Sequence, residues 1–114
     1  MMTLVEALIR PQKLEEVKAA LREIGVQGLT ITEVRGSGNE RGYTHQYRGA
    51  EYRVNFVQKI KVEVVVRENE ARVVALAIVS AARTGEVGDG KIFLIPVPDA
   101  VRIRTGDEGR NAIE

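Results

Sequence analysis

The residues best able to do chemistry fall into three groups. Gly85-Glu-Val-Gly88-Asp-Gly90-Lys91 carries the G-x-x-x-x-G-K spacing of a phosphate loop. A Walker loop, however, runs from a strand into a helix and ends in Ser or Thr to hold Mg²⁺. This stretch leaves a helical pattern, enters an apolar run and has Ile92 where the hydroxyl belongs. Walker-type hydrolysis is therefore unsupported, but the physics of anion binding survives. Closely spaced glycines let successive backbone N–H groups converge on an anion, and Lys91 adds a charge beside them. The same residues also suit a helix C-cap followed by a tight turn. In the second group, Arg102 and Arg104 alternate, so on a strand both guanidinium groups would project from one face, where two forks suit phosphate or carboxylate. The alternative is an edge strand guarded by charge. The third group holds all three tyrosines, Tyr43, Tyr47 and Tyr52, with Arg35, Arg41, Arg48, Arg53 and the only histidine, His45. Tyr and Arg carry energy at protein interfaces, and a loop can present a tyrosine hydroxyl to a modifying enzyme. His45 alone, without co-ligands or a nucleophile, reads as an ordinary loop residue.

The hydrophobic spacing shows which elements must position these groups. Leu4 to Ile9 reads as a strand closed by Pro11. Leu14, Val17, Leu21 and Ile24 then mark one face of an amphipathic helix that begins at Pro11 and ends near Gly25. Leu29-Thr-Ile-Thr-Glu-Val34 alternates as a second strand, closed by Gly36. Residues 37–55 lose the pattern, and Phe56 to Val66 restores it as a third strand. A connection of about 19 residues is unusual in a compact domain and tends to be functional. Asn69 is expected to cap a helix running through Ala82, apolar over most of its circumference and so largely buried. Ile92 to Ile95 completes the set as a fourth strand, ended by Pro96 and Pro98. Val101 to Arg104 offers a further short strand, and Thr105 to Glu114 reads as a loosely ordered tail.

The order β-α-β-β-α-β implies an α+β, ferredoxin-like sandwich, an antiparallel sheet with both helices on one face. Its other face, carrying Thr30, Thr32, Glu63 and neighbouring valines, would need a cover, which points to self-association. Composition sets the outer limits. A length of 114 residues fits one domain, and 44% apolar with 29% charged residues is ordinary globular balance. Seventeen Lys and Arg against sixteen Asp and Glu leave +1, so no global field attracts nucleic acid or an anionic membrane. The absence of cysteine excludes disulfides and thiolate chemistry. With no long apolar run and no leader pattern, the chain reads as cytoplasmic, without membrane insertion.

Taken together, these residues resemble the PII nitrogen-regulatory signalling proteins over essentially the whole chain. The most specific pieces are Tyr47-Arg-Gly-Ala-Glu-Tyr52, Thr84-Gly-Glu-Val-Gly-Asp-Gly-Lys-Ile-Phe93 and Arg102-Ile-Arg-Thr-Gly106, supported by Arg10-Pro-x-Lys-Leu14 and Gly28-Leu-Thr-Ile-Thr-Glu-Val34. The resemblance implies a single PII-like domain over 1–114, with a T-loop at 37–55, a B-loop at 83–91 and a C-terminal loop at 102–114. It implies a non-enzymatic homotrimer that binds ATP or ADP in clefts between subunits and senses 2-oxoglutarate beside Mg-ATP. Such a trimer would regulate ammonium transporters or nitrogen-metabolic enzymes through the T-loop.

By the same resemblance, Gly88, Asp89, Gly90 and Lys91 bind phosphate, with Gly36, Ser37 and Gly38 at the loop base. Arg102 and Arg104 reach the phosphates from the adjacent subunit, whose Thr30, Glu63 and Val65 form the adenine-side wall. Lys59 pairs with a 2-oxoglutarate carboxylate, with Glu40, Arg41 and Gly42 alongside. Tyr52 matches a tyrosine modified by a uridylyltransferase or adenylyltransferase, and Arg48 and Tyr47 belong to the partner-binding tip. The chain also departs from the pattern. Where the family reads Arg-Gln-Lys-Gly, this sequence has Asn39-Glu-Arg-Gly42. Glu40 is a good Mg²⁺ ligand, yet it would repel a dianionic effector. Nucleotide binding is thus expected to persist and 2-oxoglutarate binding to weaken. Ala50 excludes phosphorylation at the position where some photosynthetic members carry Ser.

Two rival functions follow from the residues. A small nucleotide hydrolase could use the same cleft, with Asp89 or Glu40 as its only evident bases. An RNA-binding ferredoxin-like module would need sheet-face aromatics and a basic surface, and Phe56 and Phe93 at a net charge of +1 argue against it.

Overall fold

The computed structural model describes residues 1–36 and 57–114 in full; between them it describes only the backbone of the strands at 44–47 and 50–53. Strand β1 (Met2–Ile9) leads through a 3-10 turn (Pro11–Lys13) into helix α1 (Leu14–Glu23), followed by β2 (Thr30–Gly36), β3 (Thr44–Tyr47) and β4 (Ala50–Arg53). Strand β5 (Val57–Arg67) then runs directly into α2 (Glu68–Ala82), and β6 (Lys91–Val97) and a 3-10 turn (Gly109–Ala112) complete the chain. The main sheet is antiparallel in the order β2-β5-β1-β6, so the ferredoxin-like arrangement expected from the sequence is present.

Register decides which residues face the helices. Val5 pairs with Val64, Ala7 with Val62 and Ile9 with Ile60, and all six are buried. They pack against Val17 and Leu21 of α1 and against Ala71, Val74, Ile78 and Ala82 of α2. The alternate residues Leu4, Glu6, Leu8, Lys61, Glu63 and Val65 lie on the opposite face, together with Thr30, Thr32 and Val34 of β2 and Phe93 and Ile95 of β6. Phe93 and Ile95 keep 43% and 39% of their surface exposed, more apolar area than a free sheet face normally shows.

Several sequence-based expectations need correction. Helix α2 buries a single stripe, while Val73 and Leu76 are more than half exposed, because a two-layer sandwich covers one side of each helix only. Asn69 does not cap it: the helix starts at Glu68 with no side-chain cap, and the Glu68 N–H is satisfied by the Met1 carbonyl at 3.0 Å. Strand β6 continues through Pro96 to Val97, which an edge strand tolerates because its outer side needs no ladder donor. The stretch expected to lack internal structure contains the antiparallel pair β3–β4, with Tyr47 opposite Ala50 and His45 opposite Tyr52. The end of α1 is as expected. Gly25, at φ +94°, donates to the Arg22 carbonyl while Val26 donates to that of Leu21, closing a Schellman cap.

Candidate functional site

The glycine-rich connection from α2 to β6 is built around one carboxylate. Asp89 Oδ2 accepts the backbone N–H groups of Thr84 and Gly85, each at 2.8 Å, and Oδ1 accepts the Thr84 hydroxyl and Arg10 Nε at 3.1 Å. The Thr84 hydroxyl, the two main-chain donors and the Arg10 guanidinium together hold the Asp89 carboxyl far below the usual carboxylate range. Its four acceptor positions are thereby filled from within the loop and its base. Asp89 shapes the glycine loop rather than acting as a general base, which removes one of the two bases available to a hydrolase.

Gly85, Gly88 and Gly90 all adopt positive φ, a conformation glycine enters without steric penalty. The loop carbonyls are tied down from beneath: Arg10 Nη2 donates to the Val87 carbonyl at 2.9 Å, and the buried Lys59 donates through Nζ to that of Gly88. Sequence reasoning gave Arg10 no site role. Its only local signal is the Arg10-Pro11 junction, where proline ends β1 and leaves the preceding side chain at the foot of the loop.

At this end of the sheet, a Cβ built on Gly36 would stand 3.9 Å from the Lys59 side chain. A cleft of about 260 Å³ opens between Val34, Arg35, Gln58 and Lys59, and another of about 370 Å³ is bordered by Asp89, Gly90, Lys91 and Arg83. Gly36, Lys59 and the residues from Gly88 to Lys91 thus gather in one place. Ser37, Gly38, Glu40, Arg41, Gly42 and Arg48 lie outside the described residues, and Tyr47 and Tyr52 are placed only by backbone register on β3 and β4.

The other predicted group assembles at the opposite end. Thr30 pairs directly with Glu63, and Val65 stands two residues further along the same face; all three line a cavity of about 550 Å³ with Gly28 and Leu29. Lys59 and Val65 are six residues apart on one strand, roughly 20 Å at about 3.3 Å per residue. Glu63, with Thr30 beside it, is four residues from Lys59, roughly 13 Å at the same rise, so within one chain the glycine loop and the wall stand apart as two separate half-sites.

Arg102 and Arg104 are not on a strand. Val101 makes an isolated bridge to Glu108, and between them the Gly106 N–H donates to the Arg102 carbonyl at 2.7 Å, forming a tight turn with Gly106 at φ +75°. The two guanidinium groups consequently do not share a face by alternation. Arg102 binds Asp107 at 3.0 Å and donates to the carbonyls of Asn111 and Glu114, so the segment expected to be loose is held by an arginine. Glu114 is also bonded to Arg67, which lowers its carboxyl from the usual value. Arg104 sits exposed in the turn. Among the described residues, no group of three or more acidic or His side chains is placed to hold a metal ion.

Comparison with known proteins agrees with the fold. The model of the family described as Nitrogen regulatory protein P-II matches residues 2–107. The chain belongs to the P-II family. Curated relatives called nitrogen regulatory protein P-II include those of Synechocystis and Rhizobium meliloti, 57% and 54% identical over 109 residues that span 96% of this chain and 97% of each relative. The crystal structure of Arabidopsis thaliana PII bound to citrate superposes with a TM-score of 0.80 at 40% identity, covering 97% of this chain and 91% of that one. As a P-II protein, the chain is a signal transducer in nitrogen regulation and not an enzyme. Its work is regulation of partner proteins, and nothing in the comparisons supports a hydrolase. No helix among the described residues is long and apolar enough to cross a membrane.

Proposed function

We propose that this P-II protein works in the cytoplasm as a homotrimer that binds ATP or ADP in clefts between subunits. The separation of the two half-sites along β5 carries the reading, because copies packed side by side would bring the glycine loop of one against the Thr30–Glu63–Val65 wall of the next. In that cleft Gly88, Gly90 and Lys91 hold the phosphates, with Gly36, Ser37 and Gly38 beside them. The neighbouring subunit supplies Arg102, Arg104 and the adenine wall. Asp89 acts by shaping the loop. The exposed Phe93 and Ile95 on the open sheet face agree with a covered, trimeric state.

Mg²⁺ entering with ATP would meet the phosphate oxygens and the Glu40 carboxylate, a hard oxygen donor suited to that ion. The same carboxylate opposes 2-oxoglutarate, which Lys59 would otherwise pair with beside Arg41 and Gly42. One like-charge pair at about 4 Å costs up to about 4 kcal/mol at an effective dielectric of about 20. Nucleotide exchange then sets the state of residues 37–55. An effector preferring one state by about 1–3 kcal/mol changes target affinity roughly 5- to 150-fold. The target is an ammonium transporter or a nitrogen-metabolic enzyme contacted through Tyr47 and Arg48, and Tyr52 is the position open to a uridylyltransferase or adenylyltransferase.

Light scattering combined with pull-down from a cell extract in ATP, in ADP, and in ATP plus 2-oxoglutarate tests this. A trimer whose captured partner changes between ATP and ADP is expected. A monomer, or a partner indifferent to nucleotide, would refute the reading.

A further inference from the structure

The glycine loop is held by two cations that come from different strands and act on adjacent carbonyls. Arg10, just after β1, takes the Val87 carbonyl through Nη2, and Lys59 of β5 takes the Gly88 carbonyl. In a trans peptide the C=O and the following N–H point in opposite directions, and the described chain has no cis peptide. Drawing the Val87 carbonyl toward Arg10 therefore turns the Gly88 N–H outward. Holding the Gly88 carbonyl on Lys59 does the same to the Asp89 N–H. Neither N–H donates to another group among the described residues. Two neighbouring donors are thus aimed away from the protein, the arrangement that captures an anion.

Arg10 does more than hold one carbonyl. Its Nε bonds Asp89, whose carboxylate in turn gathers the N–H groups of Thr84 and Gly85, so one planar guanidinium ties the start, the middle and the end of the loop. It also offsets the negative charge of Asp89 next to the place where phosphate would sit. A lysine could make one of these bonds but not both in a fixed plane.

We infer that Arg10 is a positioning residue for phosphate recognition, its two-pronged grip on Asp89 and Val87 fixing the loop with the Gly88 and Asp89 N–H groups facing the ligand. This rests on the nucleotide reading above, and the experiment separates the two. Wild type, Arg10→Gln and Arg10→Lys are titrated with ADP by calorimetry, with trimer mass and unfolding temperature measured without nucleotide. Both variants are expected to remain trimeric, with an unfolding temperature within a few degrees of wild type, and to lose ADP affinity by about tenfold, the scale of one lost hydrogen bond to a charged group. Wild-type affinity in Arg10→Lys would overturn the inference, because charge alone would then suffice. Unchanged affinity in Arg10→Gln would do the same. If Arg10→Gln fails to fold, Arg10→Lys alone decides, and wild-type ADP affinity in it overturns the inference. A wild-type protein that binds no ADP brings down the nucleotide reading, and the inference with it.

Discussion

Gly90 lies directly on the main chain of Leu8: a Cβ built at position 90 would stand 1.7 Å from the Leu8 carbonyl oxygen and 2.8 Å from its carbon. Gly90 also sits at φ +100°. The contact is with backbone, and Leu8 pairs with Lys91 in the β1–β6 ladder, so neither side can yield without shifting the sheet edge. Gly90→Ala should therefore destabilise the fold by more than about 3 kcal/mol, combining positive-φ strain with a displaced strand. Chemical denaturation measures it; a loss below about 1 kcal/mol would mean that the loop has room the structure does not show.

The hydrogen bonds around Asp89 give stability a defined dependence on pH. Its folded-state pKa lies below the unfolded value, so its contribution is fully present above about pH 4 and declines as pH falls below that. Asp89→Asn keeps one acceptor oxygen, turns the other position into a donor, and loses the charge that Arg10 and the Thr84 and Gly85 N–H groups favour. The variant should be less stable than wild type at pH 7, and the gap should narrow as pH drops below 4. Thermal melts between pH 7 and pH 2.5 check this. A gap independent of pH would mean that the carboxylate contributes by shape alone.

Much of this loop was legible in the sequence, and the reason for its limits is physical. Closely spaced glycines announce a turn that can present N–H groups, and Lys91 stands beside them, so the turn itself was readable from spacing. Arg10 was not, because its partners Val87 and Asp89 are more than 75 residues away and only the β1–β6 pairing brings them together. The strand expected at Arg102 and Arg104 failed for the opposite reason. Alternation is a strand signal, but the Gly106 N–H folds back onto Arg102 and makes a turn instead. The order of strands and helices was readable because apolar periodicity is dictated by one-sided burial. Asn69 was misread as a cap because β5 passes into α2 without a loop, and a main-chain carbonyl from Met1 satisfies the helix end instead.

The two C-terminal arginines should separate by readout. Arg102 is committed to Asp107, Asn111 and Glu114, so Arg102→Ala ought to loosen residues 107–114 as well as weaken nucleotide binding. Arg104 makes no such contacts among the described residues, and Arg104→Ala should weaken ADP binding by about five- to tenfold while leaving the tail protected. Hydrogen exchange at Ile113, alongside ADP titration, distinguishes them. Equal exchange in both variants would remove the tail-holding role from Arg102, and unchanged ADP affinity in Arg104→Ala would remove that residue from the site.

In the proposed trimer, Glu40 would set the response to 2-oxoglutarate. Its carboxylate replaces the neutral amide expected from the family pattern, and it stands in the segment that shares the cleft with Lys59 in the proposed trimer. Repulsion between Glu40 and a dianionic effector should exceed what Lys59 alone can offset, so Mg-ATP-loaded wild type is expected to bind 2-oxoglutarate weakly. Glu40→Gln removes the repulsion and keeps an oxygen for Mg²⁺, so it should tighten 2-oxoglutarate binding by at least about tenfold, the equivalent of roughly 1.4 kcal/mol. ATP affinity in Mg²⁺ should at the same time fall slightly, because the charged ligand to the metal is lost. Calorimetric titration of Mg-ATP into each protein, and then of 2-oxoglutarate into each Mg-ATP complex, reads the two effects. Micromolar affinity in the wild type, or no gain in the variant, would show that charge at position 40 does not govern effector choice.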